Sequence, residues 1–162
     1  MRYRQKGFSL IELLIVVAII LIIAAIAIPN LIRSKMAANE ASAVASMRTI
    51  NTAEVVYSST YSVATVFSAN LVNLGPNGAT CSSTFIPNST QACLIDGALA
   101  TATAAPGKSG YIFTYAGATG SYALNADPVT VNSTGVRHFY TDQSVVIRFN
   151  AAAAAGNGDS PI

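Results

Sequence analysis

One carboxylate stands out by its surroundings. Glu12 lies beside a run in which every residue from Leu13 to Ile28 is apolar, LLIVVAIILIIAAIAI, with Phe8, Leu10 and Ile11 ahead of it. From Phe8 to Ile28 the segment would make about 31 Å of helix at 1.5 Å per residue, which matches a bilayer core. Its β-branched content suits a buried strand in water, but this length without a turn residue suits a helix in lipid. A carboxylate in that setting costs about 3 kcal/mol even on lenient insertion scales. A cleaved secretory signal or a passive anchor has no use for it. The sequence does carry features of both: Arg2, Arg4 and Lys6 form a basic n-region, Ala25-Ile26-Ala27 is an A-x-A-like site, and those three bases precede the block against Arg33 and Lys35 after it. A cut just before Phe8 would offset the cost. The new α-amine, with an unperturbed pKa of about 8, would lie four residues from Glu12, about one helical turn. A buried pair is tolerable where a lone charge is not. The pair can form within one chain. Between chains it also selects the axial register that matches amine to carboxylate.

Few other residues offer chemistry. Cys81 and Cys93 are 12 apart, and in an exported chain a disulfide between them is the expectation. A metal site would need further Cys or His ligands at useful spacing, and none is present, so no metal and no cofactor are expected. His138 is the single histidine and reads as a satisfied or solvent-facing strand residue rather than a general base. Asp127 and Asp142 read as turn residues. There is no phosphate loop and no paired-carboxylate constellation, so the chain is not expected to be an enzyme. Asn88-Ser89-Thr90 and Asn132-Ser133-Thr134 match the N-glycosylation pattern, which also arises by chance in a chain rich in Asn, Ser and Thr.

The elements that must position these residues follow from composition. Only 10% of the 162 residues are charged and 52% are hydrophobic, whereas soluble domains usually have roughly 25% charged residues. The apolar block accounts for part of the deficit. The remainder comes from a region rich in Ser, Thr, Asn, Ala and Gly, suited to the outside of a cell or to packing among copies of itself. The formal charge of +2 is no nucleic-acid signal: without Arg2, Arg4 and Lys6, six bases face seven acids, a balance of −1.

Pro29 removes the hydrogen bond to the carbonyl of Ala25, so the helix should end, bend or loosen there. Asn30 to Tyr61 then lacks Gly and Pro. Ile32, Met36, Ala43, Met47, Ile50, Tyr57 and Tyr61 share a helical face, with Glu54 falling near it. Residues 62–109 read as a long irregular connection. Four strands are predicted, at Tyr111–Tyr115, Tyr122–Leu124, Arg137–Tyr140 and Val145–Phe149, with turns at Gly117–Gly120 and Thr141–Ser144. The expected fold is α+β, a long N-terminal helix packed on a four-stranded antiparallel sheet.

Lys6-Gly7-Phe8-Ser9-Leu10-Ile11-Glu12, continuing as LLIVVAII through Pro29 and Asn30, resembles the class III signal of type IV prepilins and type II secretion pseudopilins. The resemblance covers about 30 residues. It implies the pilin fold, a prepilin peptidase that cuts after Gly7 and methylates Phe8, and pairing of Glu12 with the N-terminus of a neighbouring subunit. It also implies a locally melted stretch ahead of Pro29 in the filament. Leu21 stands where many relatives carry Gly, and this should make melting harder or shorter. The implied organisation is a basic leader (1–7), a transmembrane and filament-core helix (8–29), its amphipathic half (30–61), the disulfide-bearing connection (62–109), an antiparallel meander (110–150) and a loose tail (151–162). The expected partners are further copies in a helical filament and the inner-membrane assembly machinery, with no nucleic acid. The precursor would span the bacterial inner membrane once, then enter an extracellular or periplasmic filament. A major pseudopilin of type II secretion is an alternative, although acidic residues for its calcium loop are scarce here. A membrane-tethered binding domain that never polymerises is another.

Overall fold

The absence of helix breakers over Asn30 to Tyr61, after an apolar block that can satisfy its backbone only internally, gives one helix. In the computed structural model, which describes residues 7–61, 66–78, 81–82 and 84–162, α1 spans Leu10–Tyr61, 52 residues with Pro29 inside it. The leader bases Arg2, Arg4 and Lys6 lie outside the described residues. The chain forms two compact units, residues 1–35 and 36–162.

In the second unit, α1 buries Ala43, Met47, Ile50, Ala53 and Tyr57. Their spacing of three to four residues makes the apolar stripe expected of a helix on a sheet. The stripe is shorter than the sequence pattern predicts: Ile32 is exposed, and Met36 and Tyr61 are half-buried. It is also more polar, because Glu40, Asn51 and Glu54 are buried on the same side. Each has a partner. Asn51 Nδ2 donates to Thr141 Oγ1 at 3.1 Å, and its Oδ1 accepts from Tyr122 Oη at 2.9 Å.

The sheet is antiparallel, with strands β1 (Tyr111–Ala118), β2 (Ser121–Pro128), β3 (His138–Asp142), β4 (Arg148–Asn150) and β5 (Ser160–Pro161) in chain order across it. Strand β2 alternates as period two demands, burying Tyr122, Leu124, Ala126 and Pro128. Phe139 and Thr141 in β3 face the same core. Register runs through Ala126↔Phe139 and Phe139↔Phe149. Tyr111, Phe113, Leu124 and Phe139 are fully buried with Met47 and Ile50 of α1.

Three expectations need correction. Among the described residues there are five strands, not four. Val145–Ile147 are not strand: Asp142 Oδ1 accepts from Ser144 N at 2.8 Å, the Val145 amide donates to the Asp142 carbonyl at 2.9 Å, and Val145 takes φ +64. That turn consumes the residues whose β-branching suggested a strand. The tail is not wholly loose. It supplies β5 and buries Ala155, whose carbonyl accepts from Asn125 Nδ2 at 2.8 Å.

The connection also contains order that periodicity cannot reveal. One-turn helices α2 (Leu71–Leu74) and α3 (Gly97–Ala100) bury Leu71, Leu74, Leu99 and Ala100. Asp96 caps α3 through the Leu99 amide and pairs with Lys108 Nζ at 2.8 Å. Cys81 and Cys93 form the expected disulfide. Closing a loop of this size contributes about 3 kcal/mol on the chain-entropy model. Replacing both cysteines by serine is therefore expected to lower stability by about 2–3 kcal/mol, read as a shift in the denaturant midpoint.

Gly117 is needed for a close approach. A Cβ there would stand 1.8 Å from the carbonyl oxygen of Ser68. The Gly117→Ala variant must push the connection off β1, at a cost of about 3 kcal/mol. A thermal melt against the unaltered protein checks this.

Candidate functional site

The N-terminal unit presents Phe8, 80% exposed, one residue ahead of Ser9 at the helix start. The Ser9 carbonyl accepts from the Leu13 amide at 3.3 Å, and the Ser9 amide donates to Glu12 Oε2 at 2.9 Å. Ser9 is thus at the N-cap position and Glu12 is the third helical residue, whose carboxylate makes the return bond of a capping box. The S-x-x-E spacing signalled this role, which sequence reasoning missed by attending only to the carboxylate's cost. Glu12 satisfies one of its own helix's orphan amides and lies at the positive end of the helix dipole. Among the described residues no hydrogen bond occupies Oε1. One oxygen serves the chain's own cap, and the residue as a whole is exposed.

Around this carboxylate the surface is apolar. From Phe8 to Leu31 every large aliphatic or aromatic side chain is at least 45% exposed. The helix is long and apolar enough to cross a membrane. It is assigned without a break through Pro29, and Ser34 Oγ donates to the Asn30 carbonyl at 3.0 Å just beyond. Gly7 and Phe8 adjoin Glu12 in sequence and lie at the same helix start; Pro29 is most of the span away, and Cys81 and Cys93 belong to the second unit. The predicted site residues therefore form one junction and two separate structural features.

In the head, the polar side chains with perturbed environments hold the fold together. Glu40 Oε1 accepts from the Val136 and Arg137 amides at 2.9 and 3.2 Å, and Oε2 accepts from Arg137 Nε at 2.7 Å. Burial pushes the Glu40 carboxyl up, but these bonds and the guanidinium outweigh it and hold the group below its ordinary value. The same guanidinium lies 5.5 and 5.6 Å from the ring centroids of Phe139 and Phe149. His138 Nδ1 is 2.6 Å from Asp127 Oδ1, a cross-strand pair one step beyond Ala126↔Phe139. Asp127 is thus a strand residue and not the turn residue expected. Asp142 ends β3 and caps the turn after it. Among the described residues no group of three or more His, Cys, Asp or Glu side chains could hold a metal.

Glu54 is fully buried, and among the described residues no ion pair reaches it. It accepts from the Ser68 amide at 3.1 Å and from the Ser68 hydroxyl, while Tyr115 Oη donates to the Ser68 carbonyl at 3.0 Å. Burial raises the Glu54 carboxyl above its ordinary value, against the pull of those bonds. Tyr115 and Tyr122 are also pushed up, chiefly by burial. A raised acid binds a proton on folding, so Glu54 costs nothing below its unfolded pKa, and its penalty grows as pH climbs through the folded value. Glu54→Gln is expected to leave the melting temperature unchanged at about pH 4 and to raise it by a few degrees at about pH 8. A melting series across that range checks the sign.

Comparison with known proteins bears on the junction and on the chain as a whole. Residues 2–28 match the prokaryotic N-terminal methylation motif. The type IV major pilin protein of Myxococcus xanthus is 49% identical over 51 residues, 32% of this chain and 23% of that protein, so the match spans under a quarter of that relative. The type IV wide pilus major component of Thermus thermophilus is 38% identical over 95 residues, 57% of this chain and 72% of that protein. The chain belongs to the type IV pilin family. The family is structural, and the pilin is not an enzyme. No solved structure matches it. The methylation motif and the apolar helix of this pilin fit a membrane-anchored precursor.

Proposed function

We propose that this pilin is a structural subunit cut after Gly7, methylated on Phe8, and polymerised through residues 8–29 into a type IV pilus. Glu12 of one subunit receives the N-terminal amine of a neighbour. The observation that carries this is the exposed apolar surface from Phe8 to Leu31, broken by a single acid whose Oε1 carries no hydrogen bond among the described residues. Lipid covers that surface in the precursor, and neighbouring helices replace the lipid in the fibre. An amine arriving at Glu12 completes a charge-assisted pair in a low-dielectric setting, where it is strongest.

The partners are further copies of the chain, a prepilin peptidase and the inner-membrane assembly machinery. Pro29, which leaves the Ala25 carbonyl without its helical donor, is the hinge at which the span can adjust when lipid is exchanged for protein. Leu21 makes melting ahead of it harder than a glycine would. The precursor resides in the bacterial inner membrane, and the product is an extracellular filament. Shearing the cells and sequencing the filament subunit by mass spectrometry tests the proposal. The expected result is filaments of this chain beginning at N-methylated Phe8. Membrane-bound protein that retains Met1–Gly7, with no filaments, refutes it.

A further inference from the structure

The two N-x-S/T tripeptides are equivalent in sequence but not in the fold. At Asn88-Ser89-Thr90 the asparagine side-chain oxygen accepts two hydrogen bonds, from the Thr90 amide at 2.9 Å and from the Thr90 hydroxyl at 2.8 Å. All three residues are exposed. The turn that carries them is closed by reciprocal backbone bonds between Asn88 and Gln91 at 3.2 and 3.1 Å. It is held at its base by Tyr57 Oη on the Ser89 carbonyl at 2.7 Å and by Asn77 Nδ2 on the Thr90 carbonyl at 3.1 Å. At Asn132-Ser133-Thr134 the threonine hydroxyl is committed elsewhere. It donates to the Thr130 carbonyl and accepts from the Thr130 amide, each at 3.1 Å.

We propose that Asn88 is an acceptor for N-linked glycosylation and that Asn132 is not. An amide nitrogen is a poor nucleophile because its lone pair is shared with the carbonyl. When Nδ2 gives up a proton, the negative charge develops on Oδ1, where the amide and hydroxyl of Thr90 are already placed to stabilise it. The co-reactant is a sugar activated as its anomeric phosphate ester, brought by a glycosyltransferase acting on the exported head. Nδ2 bonds to the anomeric carbon, the carbon–oxygen bond to phosphate breaks, the phosphate leaves with that electron pair, and a base of the transferase takes the Nδ2 proton. Among the described residues no hydrogen bond holds Nδ2, so the turn need not open to react.

The test is glycopeptide mass spectrometry of the full-length protein purified from the cells that make it. A sugar increment is expected on the Asn88 peptide, with enzymatic release of the sugar leaving aspartate at that position. The increment should vanish in Asn88→Gln and Thr90→Ala, persist in Thr90→Ser, and be unaffected by Asn132→Gln. An unmodified Asn88, a sugar on Asn132, a sugar on a Ser or Thr hydroxyl instead, or an increment that survives Thr90→Ala overturns the assignment. It rests on the head alone and holds whether or not the chain polymerises.

Discussion

Glu12→Leu is expected to abolish filaments while leaving the proposed cut after Gly7 in place. Leucine removes the one charge in the exposed apolar surface, so the variant is at least as stable in lipid as the natural chain. What it loses is the partner proposed for an incoming amine. With about 3 kcal/mol at stake per contact, each addition step weakens by roughly 100-fold, since 1.4 kcal/mol is tenfold. That is enough to empty the sheared fraction. Because Glu12 also caps its own helix through the Ser9 amide, a second substitution is needed to separate cap from charge. Glutamine is accepted at this position of a capping box, so Glu12→Gln keeps the hydrogen bond and drops the charge. Loss of filaments in both variants, with normal terminal processing, is the expected result. Wild-type filament yield in Glu12→Gln would show that the cap, and not the charge, is what assembly needs.

The second large effect lies in the head. Phe139 is fully buried at the centre of the sheet, with the Tyr111 ring centroid 5.9 Å away and the Arg137 guanidinium over its face. Phe139→Ala removes a ring that neither neighbour can replace, because both are fixed by their own bonds: Tyr111 Oη to the Arg137 carbonyl at 2.8 Å, and Arg137 to Glu40. The cavity should cost about 3–5 kcal/mol. Domains have only about 5–15 kcal/mol in total. The variant is therefore expected to melt well below the natural protein and to be depleted in cells by proteolysis, while its N-terminal helix remains intact. A denaturant titration of the detergent-solubilised subunit, with an immunoblot of whole cells, measures both consequences.

The span, the long helix, the disulfide and most of the sheet were legible in the sequence because each rests on a local signal. An uninterrupted apolar run, a stretch without Gly or Pro, two cysteines 12 apart, and strand-like runs around glycines are all readable without tertiary context. What escaped depends on contacts distant in sequence. Glu40, Asn51 and Glu54 look like breaks in an apolar stripe until Arg137, Tyr122 and Ser68 arrive to satisfy them. Val145 and Val146 have strand chemistry, but the Asp142 turn ahead of them sets the backbone. Ser160 and Pro161 have none, yet β4 pairs with them. Asp127 reads as a turn residue in the sequence because its partner, His138, lies on the next strand. At the candidate site the charge of Glu12 was readable from its surroundings, whereas its capping bond required Ser9 to be considered together with it.

The narrowness of β5 has a consequence for a protein that spends its working life at the concentration of its own polymer. An open sheet edge is a template for another strand, and heads brought together by their helices would meet such edges constantly. Here the outer side of β4 is covered by two residues, and one of them is Pro161, which has no amide to offer a newcomer. On the opposite side, the Phe113 amide of β1 is bound to the Ala102 carbonyl at 2.9 Å, and Tyr111 exchanges backbone bonds with Lys108 at 2.9 and 3.0 Å. With both margins of the sheet occupied by its own chain, the head is poorly suited to strand-by-strand aggregation. Self-association is left to the helix, the segment proposed above to pack between subunits.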